Sequence, residues 1–199
     1  MTQPLIYWAE LYRRNRTKAL CLDIETTGWN KPISVVGLGR PKDGIPDVIQ
    51  LVKDQNLSTE NLKWALQGCQ LLITYNGIHF DLKRIRKEFP GVIPYGIPVL
   101  DLFRFAKRCG IRTDLKTLEN TFHIERMEES TKRRGIAVKL WRRSQEGNAE
   151  ALRQLLEYNR QDVINLYPLA EMLTEVVLRP GFREHDLRQA PPRFPMIPE

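Results

Sequence analysis

Ala19-Leu20-Cys21-Leu22-Asp23-Ile24-Glu25-Thr26-Thr27-Gly28 carries the strongest signal in the chain. An apolar run leads into two acids one residue apart, and a Thr-Thr-Gly turn closes it. A short apolar run ending at a glycine predicts a buried strand. Side chains alternate across a strand, so Asp23 and Glu25 project from one face while Ile24 points the other way, into the core. Two adjacent carboxylates near the end of a buried strand repel each other unless a cation neutralises them. Hard divalent ions such as Mg²⁺ and Mn²⁺ take oxygen ligands of this kind. A bare Asp-x-Glu also occurs by chance as two solvated acids, so the pair needs further acids elsewhere in the chain.

Composition narrows the class. A length of 199 residues makes one domain the default and allows a sizeable core. Hydrophobic residues at 42% and charged residues at 28% describe a soluble globular protein. No apolar segment is long enough for a membrane span. Met1-Thr2-Gln3-Pro4 lacks a basic region followed by an apolar one, so no secretory signal is expected and the location is expected to be cytoplasmic. Cys21, Cys69 and Cys109 are widely spaced and odd in number, which suggests buried thiols in a reducing compartment and neither a disulfide framework nor a zinc site. A net charge of +7 and a pI near 9.4 favour polyanionic partners such as nucleic acid.

Outward from the central stretch, Pro4 to Arg16 has Leu5, Trp8, Leu11 and Tyr12 at helical spacing, with Arg13, Arg14 and Arg16 crowding its end. Ile33 to Gly39 and Asp47 to Val52 read as a second and third strand, separated by Gly, Pro and Lys turns that suit antiparallel pairing. Ser58 is a candidate N-cap for a helix through Gln67. Leu71 to Tyr75 reads as a fourth strand, running into Asn76-Gly77-Ile78-His79-Phe80-Asp81. Asn-Gly marks a sharp turn, and Asp81 falls at the start of a helix to about Glu88, where the terminus favours an acid. Ile97 to Leu102 is a fifth strand. Its Asp101 is either an outer acid of a site or a strand-end charge. Helices are expected from Phe103 to Cys109 and from Thr113 to Glu119. Thr131-Lys132-Arg133-Arg134 with Lys139, Arg142 and Arg143 around Trp141 is the densest basic segment, either a single-strand track or a solvated loop with one anchoring Trp. A long helix follows from about Asn148 to Val177, with Tyr158 and Asp162 on one face. Pro168 should kink it or end its first half. From Arg179 the chain is rich in Pro and Arg, and an extended tail is expected.

Strands one, four and five fit a parallel core with helical crossovers, and the first three strands a meander at one edge. That order is the architecture of a ribonuclease H-like α/β sheet of about five strands.

Three segments now stand in chain order: Asp23-Ile24-Glu25-Thr26-Thr27-Gly28, Asn76 to Asp81, and Tyr158-Asn159-Arg160-Gln161-Asp162. Together they resemble the three exonuclease motifs of the DEDD (DnaQ-like) superfamily, which contains the proofreading domains of DNA polymerases and several ribonucleases. The likeness spans about residues 18 to 173. It is nearest to the stand-alone YprB-like branch, related to family B polymerase proofreading domains. That branch also has an Asn-Gly-x-x-Phe-Asp turn and a Leu-Lys-x-Leu-Glu helix, here Asn76 to Asp81 and Leu115 to Glu119.

The resemblance implies that Asp23, Glu25, Asp81 and Asp162 are metal-binding carboxylates for two Mg²⁺ or Mn²⁺ ions. Tyr158, four before Asp162, has the placement of the tyrosine subclass. The histidine subclass has its His where this chain has Glu157, and the YprB-like branch has His at the Tyr158 position, so the chain departs toward the proofreading pattern. With an intrinsic pKa near 10, Tyr158 would position the attacking water. Thr26 would meet the terminal nucleotide, and Asn76 and Phe80 would line the strand's path. The implied activity is 3′-to-5′ hydrolysis at 3′ ends of single-stranded DNA or RNA. The alternatives are a non-catalytic nucleic-acid-binding module of the same fold and a structure-specific endonuclease with the same metals. The domain layout expected is an N-terminal helix over 1–17 packing on the domain, an exonuclease domain over 18–178, and a tail over 179–199. Nothing in the sequence names a protein partner.

Overall fold

A computed structural model describes residues 3–42, 46–126 and 135–182. The strands are β1 (Ala19–Thr26), β2 (Ile33–Arg40), β3 (Asp47–Val52), β4 (Leu71–Thr74) and β5 (Val99–Asp101). They form one sheet in the order β3-β2-β1-β4-β5. β1 pairs antiparallel with β2, and β2 with β3, whereas β4 is parallel to both β1 and β5. The meander and the parallel core expected from the sequence therefore meet at β1. This is a ribonuclease H-like mixed sheet flanked by helices.

The helices are α1 (Leu5–Asn15), α2 (Thr59–Leu66), α3 (Asp81–Glu88), α4 (Leu102–Arg108), α5 (Leu115–Thr121), α6 (Ile136–Gln145) and α7 (Ala149–Leu178). Local signals set their starts. Ser58 accepts a hydrogen bond from the Asn61 N–H, Asp114 from Thr117 and Asn148 from Ala151, each satisfying a donor that the first turn leaves free.

Strand alternation divides the core. Leu20, Leu22, Ile24 and Leu72 face α2 and α3 in one apolar cluster. Ala19, Cys21, Leu71 and Ile73 face the other way, into a cluster built with α1, α4 and α7. Asp23 and Glu25 continue the second set, so both acids emerge beneath α7. Cys21 and Cys109 are buried and Cys69 is half-buried, all as free thiols. No described helix is long and apolar enough to cross a membrane.

Two expectations need correction. Pro168 does not end a helix, because α7 runs unbroken through it for 30 residues. Proline inside a helix costs about 3 kcal/mol or more, yet Leu166, Leu169, Ala170 and Leu173 around it are all buried, and that packing outweighs the lost hydrogen bond. The basic segment is also not a loop over its second half, because α6 begins at Ile136 and buries Ala137, Leu140 and Trp141 against Val35, Val52 and Leu155. Trp141 is thus a core residue and not a stacking surface. Residues 131–134 of that segment, and the tail from 183 onward, lie outside the described residues.

α7 crosses the sheet over Gly37 and Gly39, the β2 partners of Asp23 and Cys21. A Cβ on Gly37 would lie 2.7 Å from Val163 Cγ2 and would collide with the Asn159 side chain. Glycine therefore sets how closely α7 approaches β1. Gly37→Ala should lower the unfolding free energy by about 1–3 kcal/mol through overpacking, read from the urea midpoint at unchanged slope. A variant as stable as the parent would show that α7 does not need this close approach.

Candidate active site

Asp23, Glu25 and Asp162 each offer a carboxylate oxygen, and these oxygens lie within 4.8 Å of one another. β1 supplies the first two from one face, and α7 lowers Asp162 onto them from above. Residues 25 and 162 are thus joined by the helix crossing at Gly37 and not by local sequence. Asp162 is 7% exposed, while Asp23 and Glu25 are partly open to solvent.

Asp81 stands beside this trio. It opens α3, is buried, and accepts the Ile24 N–H on β1 at 3.0 Å. The bond places the fourth acid next to the strand residue that separates Asp23 from Glu25. Burial pushes the Asp81 carboxyl up to about 7 against two backbone N–H bonds that lower it, with Asp101 and Asp162 raising it further. Asp23 and Glu25 are held well above the ordinary carboxylate range, first by burial and then by the neighbouring acids, Asp162 foremost. Asp162 is raised by burial, but Arg126, Lys116 and a hydrogen bond with Tyr158 oppose the shift.

Tyr158 lies one helical turn before Asp162. Burial raises its hydroxyl pKa, as do the charges of Asp162, Glu25 and Asp23, so it remains a protonated donor. Lys116 Nζ sits 5.1 Å from the centre of its ring. The other sequence candidates line the same end of the sheet. Thr26 Oγ1 donates to the Gly28 carbonyl at 3.1 Å and shapes the turn after β1. Asn76 adopts φ 60°, a left-handed conformation that asparagine tolerates. The next residue must be glycine, because a Cβ on Gly77 would meet Thr74 Oγ1 at 2.6 Å. Phe80 precedes α3, with the Arg84 guanidinium 4.9 Å from its ring centre. Arg84 also donates to the Lys31 carbonyl at 2.6 Å and to Asn30 Oδ1 at 3.1 Å, fastening the β1–β2 turn to α3.

Several residues that matter here were not singled out as site residues from the sequence. Asn159 is fully buried and donates to Asp23 Oδ2 at 2.9 Å, while its own Oδ1 accepts from Gln50 at 2.9 Å. Its available signal was a polar residue on the buried stripe of α7. Of the two alternatives for Asp101, the structure fits the outer acid near the site better than the plain strand-end charge. Fully buried, it accepts from the N–H groups of Asn76 at 3.0 Å, Ile78 at 3.1 Å and Arg104 at 3.2 Å. It thereby caps α4 and fixes the turn that delivers Asp81. Glu119 and Arg126 flank Asp162. On α5, Lys116 faces Tyr158, and Glu119, three residues on, reaches Asp162 through Arg126.

The carboxylate oxygens suit a hard divalent cation, and their raised pKa values register the mutual repulsion such a cation would relieve. The model of the RNase H superfamily matches residues 20–174, which span the whole sheet and most of α7. The chain belongs to that superfamily. Among solved structures, it is similar to the crystal structure of the EXD2 exonuclease domain soaked in Mg and GMP. That match has 15% identity over 89% of this chain and 93% of the other, with a TM-score of 0.32. No curated protein matches the sequence.

Asp101→Asn puts an amide NH₂ where backbone N–H groups now find an acceptor. Leaving one buried donor unpaired costs about 1–3 kcal/mol, so chemical denaturation should show a loss of that size. Amide exchange at Asn76 and Ile78 should speed up with it. An unchanged stability would mean that the turn is held by something else.

Proposed function

We propose that the protein is a divalent-metal-dependent nuclease, acting as a 3′-to-5′ exonuclease on single-stranded DNA or RNA. The observation that carries this is the gathering of Asp23, Glu25 and Asp162 within 4.8 Å, with Tyr158 against Asp162, in a chain of the RNase H superfamily. Acids held together against their own repulsion have little structural use and are suited to binding Mg²⁺ or Mn²⁺.

Asp23, Glu25, Asp81 and Asp162 would hold two ions. Bound there, such ions supply Lewis acidity, polarising the phosphodiester and lowering the pKa of water. The chain's own groups do the rest. Asn159 orients Asp23 through its hydrogen bond to Oδ2. Tyr158, kept protonated by burial and by the surrounding acids, would position the attacking water. Thr26, Asn76 and Phe80 line the path of the strand's 3′ end. The net charge of +7 attracts the phosphate backbone, so substrate affinity falls as salt rises.

The test is digestion of a 5′-labelled single strand, as DNA and as RNA, with Mn²⁺ and with chelator. A ladder shortening from the 3′ end, lost in chelator, is expected. Asp23→Asn should abolish it, and Tyr158→Phe should lower kcat by roughly 10²-fold, the scale of a misplaced reactant. Cleavage that persists in chelator or in Asp23→Asn would sink the proposal. Cleavage of a circular strand would make the protein an endonuclease. Binding without cleavage would make it a binding module. In chelator at pH 8, Asp23→Asn should also melt above the parent, since it removes one of the repelling charges, and Mn²⁺ should raise its melting temperature less.

A further inference from the structure

Glu119 on α5 is 1% exposed, and Arg126 grips it with both arms of its fork. Nε lies 2.5 Å from Oε2 and Nη2 lies 2.9 Å from Oε1. The same Nη2 also donates to Asp162 Oδ1. Asn165, one turn beyond Asp162 on α7, donates to Glu119 Oε1 at 3.1 Å. Arg126 Nη1 is buried with no acceptor among the described residues. The guanidinium is thus held by Glu119 and Asp162.

Burying an ion pair is a poor way to gain stability, because the desolvation cost rivals the attraction. The charges of Glu119 and Arg126 also cancel, so the pair adds no net charge beside the acids. What it adds is direction. A carboxylate has about four lone-pair sites across its two oxygens, so Asp162 can accept Arg126 and still face a cation. Hydrogen bonds to a ligating carboxylate of this kind typically govern 10–100-fold in metal affinity or activity.

We propose that Glu119 and Arg126 form a neutral positioning pair for the metal site. Glu119 holds the guanidinium, and Arg126 fixes the Asp162 carboxylate toward Asp23 and Glu25. This rests on the metal-site reading above.

Calorimetric Mn²⁺ titration of the parent, Asp23→Asn, the double variant Glu119→Gln with Arg126→Gln, and Arg126→Lys separates the two. The double variant has the parent's net charge, so simple electrostatics predicts no change in its affinity. The positioning pair predicts a loss of roughly 10–100-fold. It also predicts a lower kcat at unchanged KM for the nucleic acid, with melting in chelator close to the parent. Arg126→Lys keeps the charge but loses the fork, and should bind with intermediate affinity. If the double variant does not fold, Arg126→Lys alone carries the test and should bind more weakly than the parent. A double variant that binds Mn²⁺ as tightly as the parent, or more tightly, would overturn the proposal and make Arg126 a competitor of the cation. An unchanged affinity in Arg126→Lys would overturn it as well. A parent that takes up no Mn²⁺ would overturn the metal site itself, and the positioning pair with it.

Discussion

The close crossing of α7 over β2 is the contact on which the site depends. Gly37 and Gly39 remove two side chains from the sheet face, and Asn159 and Val163 settle into the space. A normal strand surface would lift the helix. Asn159 would lose Asp23, and Asp162 would rise away from Glu25. The apolar packing around Leu155, Val163 and Leu166 keeps the helix down. The energy for bringing acids together therefore comes from ordinary core burial, at about 25 cal/mol per Å², and not from anything within the acids themselves.

The four acids are not equally compensated. Asp162 has Arg126, Lys116 and Tyr158 opposing its desolvation, and Asp81 has backbone N–H groups. Asp23 has the Asn159 amide, and Glu25 has the more distant charge of Lys116. The acids with the fewest compensating partners thus stand at the β1 end, where solvent also reaches. The acids on α3 and α7 are the better anchored, through the Ile24 N–H and Arg126.

The strand pattern was legible because each strand was a short run rich in apolar residues, several of them bounded by Gly, Pro or Asn. The order of strands followed from which runs were apolar throughout. The gathering of Asp23, Glu25 and Asp162 was legible because the segments that hold them resembled known motifs in order. Asn159 and the Glu119–Arg126 pair were not, because their roles arise from partners far along the chain, and Asp101 was left between two readings. Asn159 meets Asp23 across 136 positions and Asn165 meets Glu119 across 46. α6 was hidden for another reason. Ala137, Leu140 and Trp141 follow helical spacing, but Lys139, Arg142 and Arg143 between them drew attention to charge. At Pro168 the helix does not end, because the burial around it offsets a local penalty.

The last helix also closes the first. Tyr12 on α1 donates to Glu171 on α7 at 2.9 Å across 159 positions, and Tyr167 donates to the Arg16 carbonyl. The contact joins elements that lie far apart along the chain. Such contacts are slow to form because a long loop must close first. Until α7 docks, Tyr12 lacks its partner and Asp23 and Glu25 stand without Asp162. Completion of the acid cluster is therefore tied to the docking of α7, the same step that covers α1.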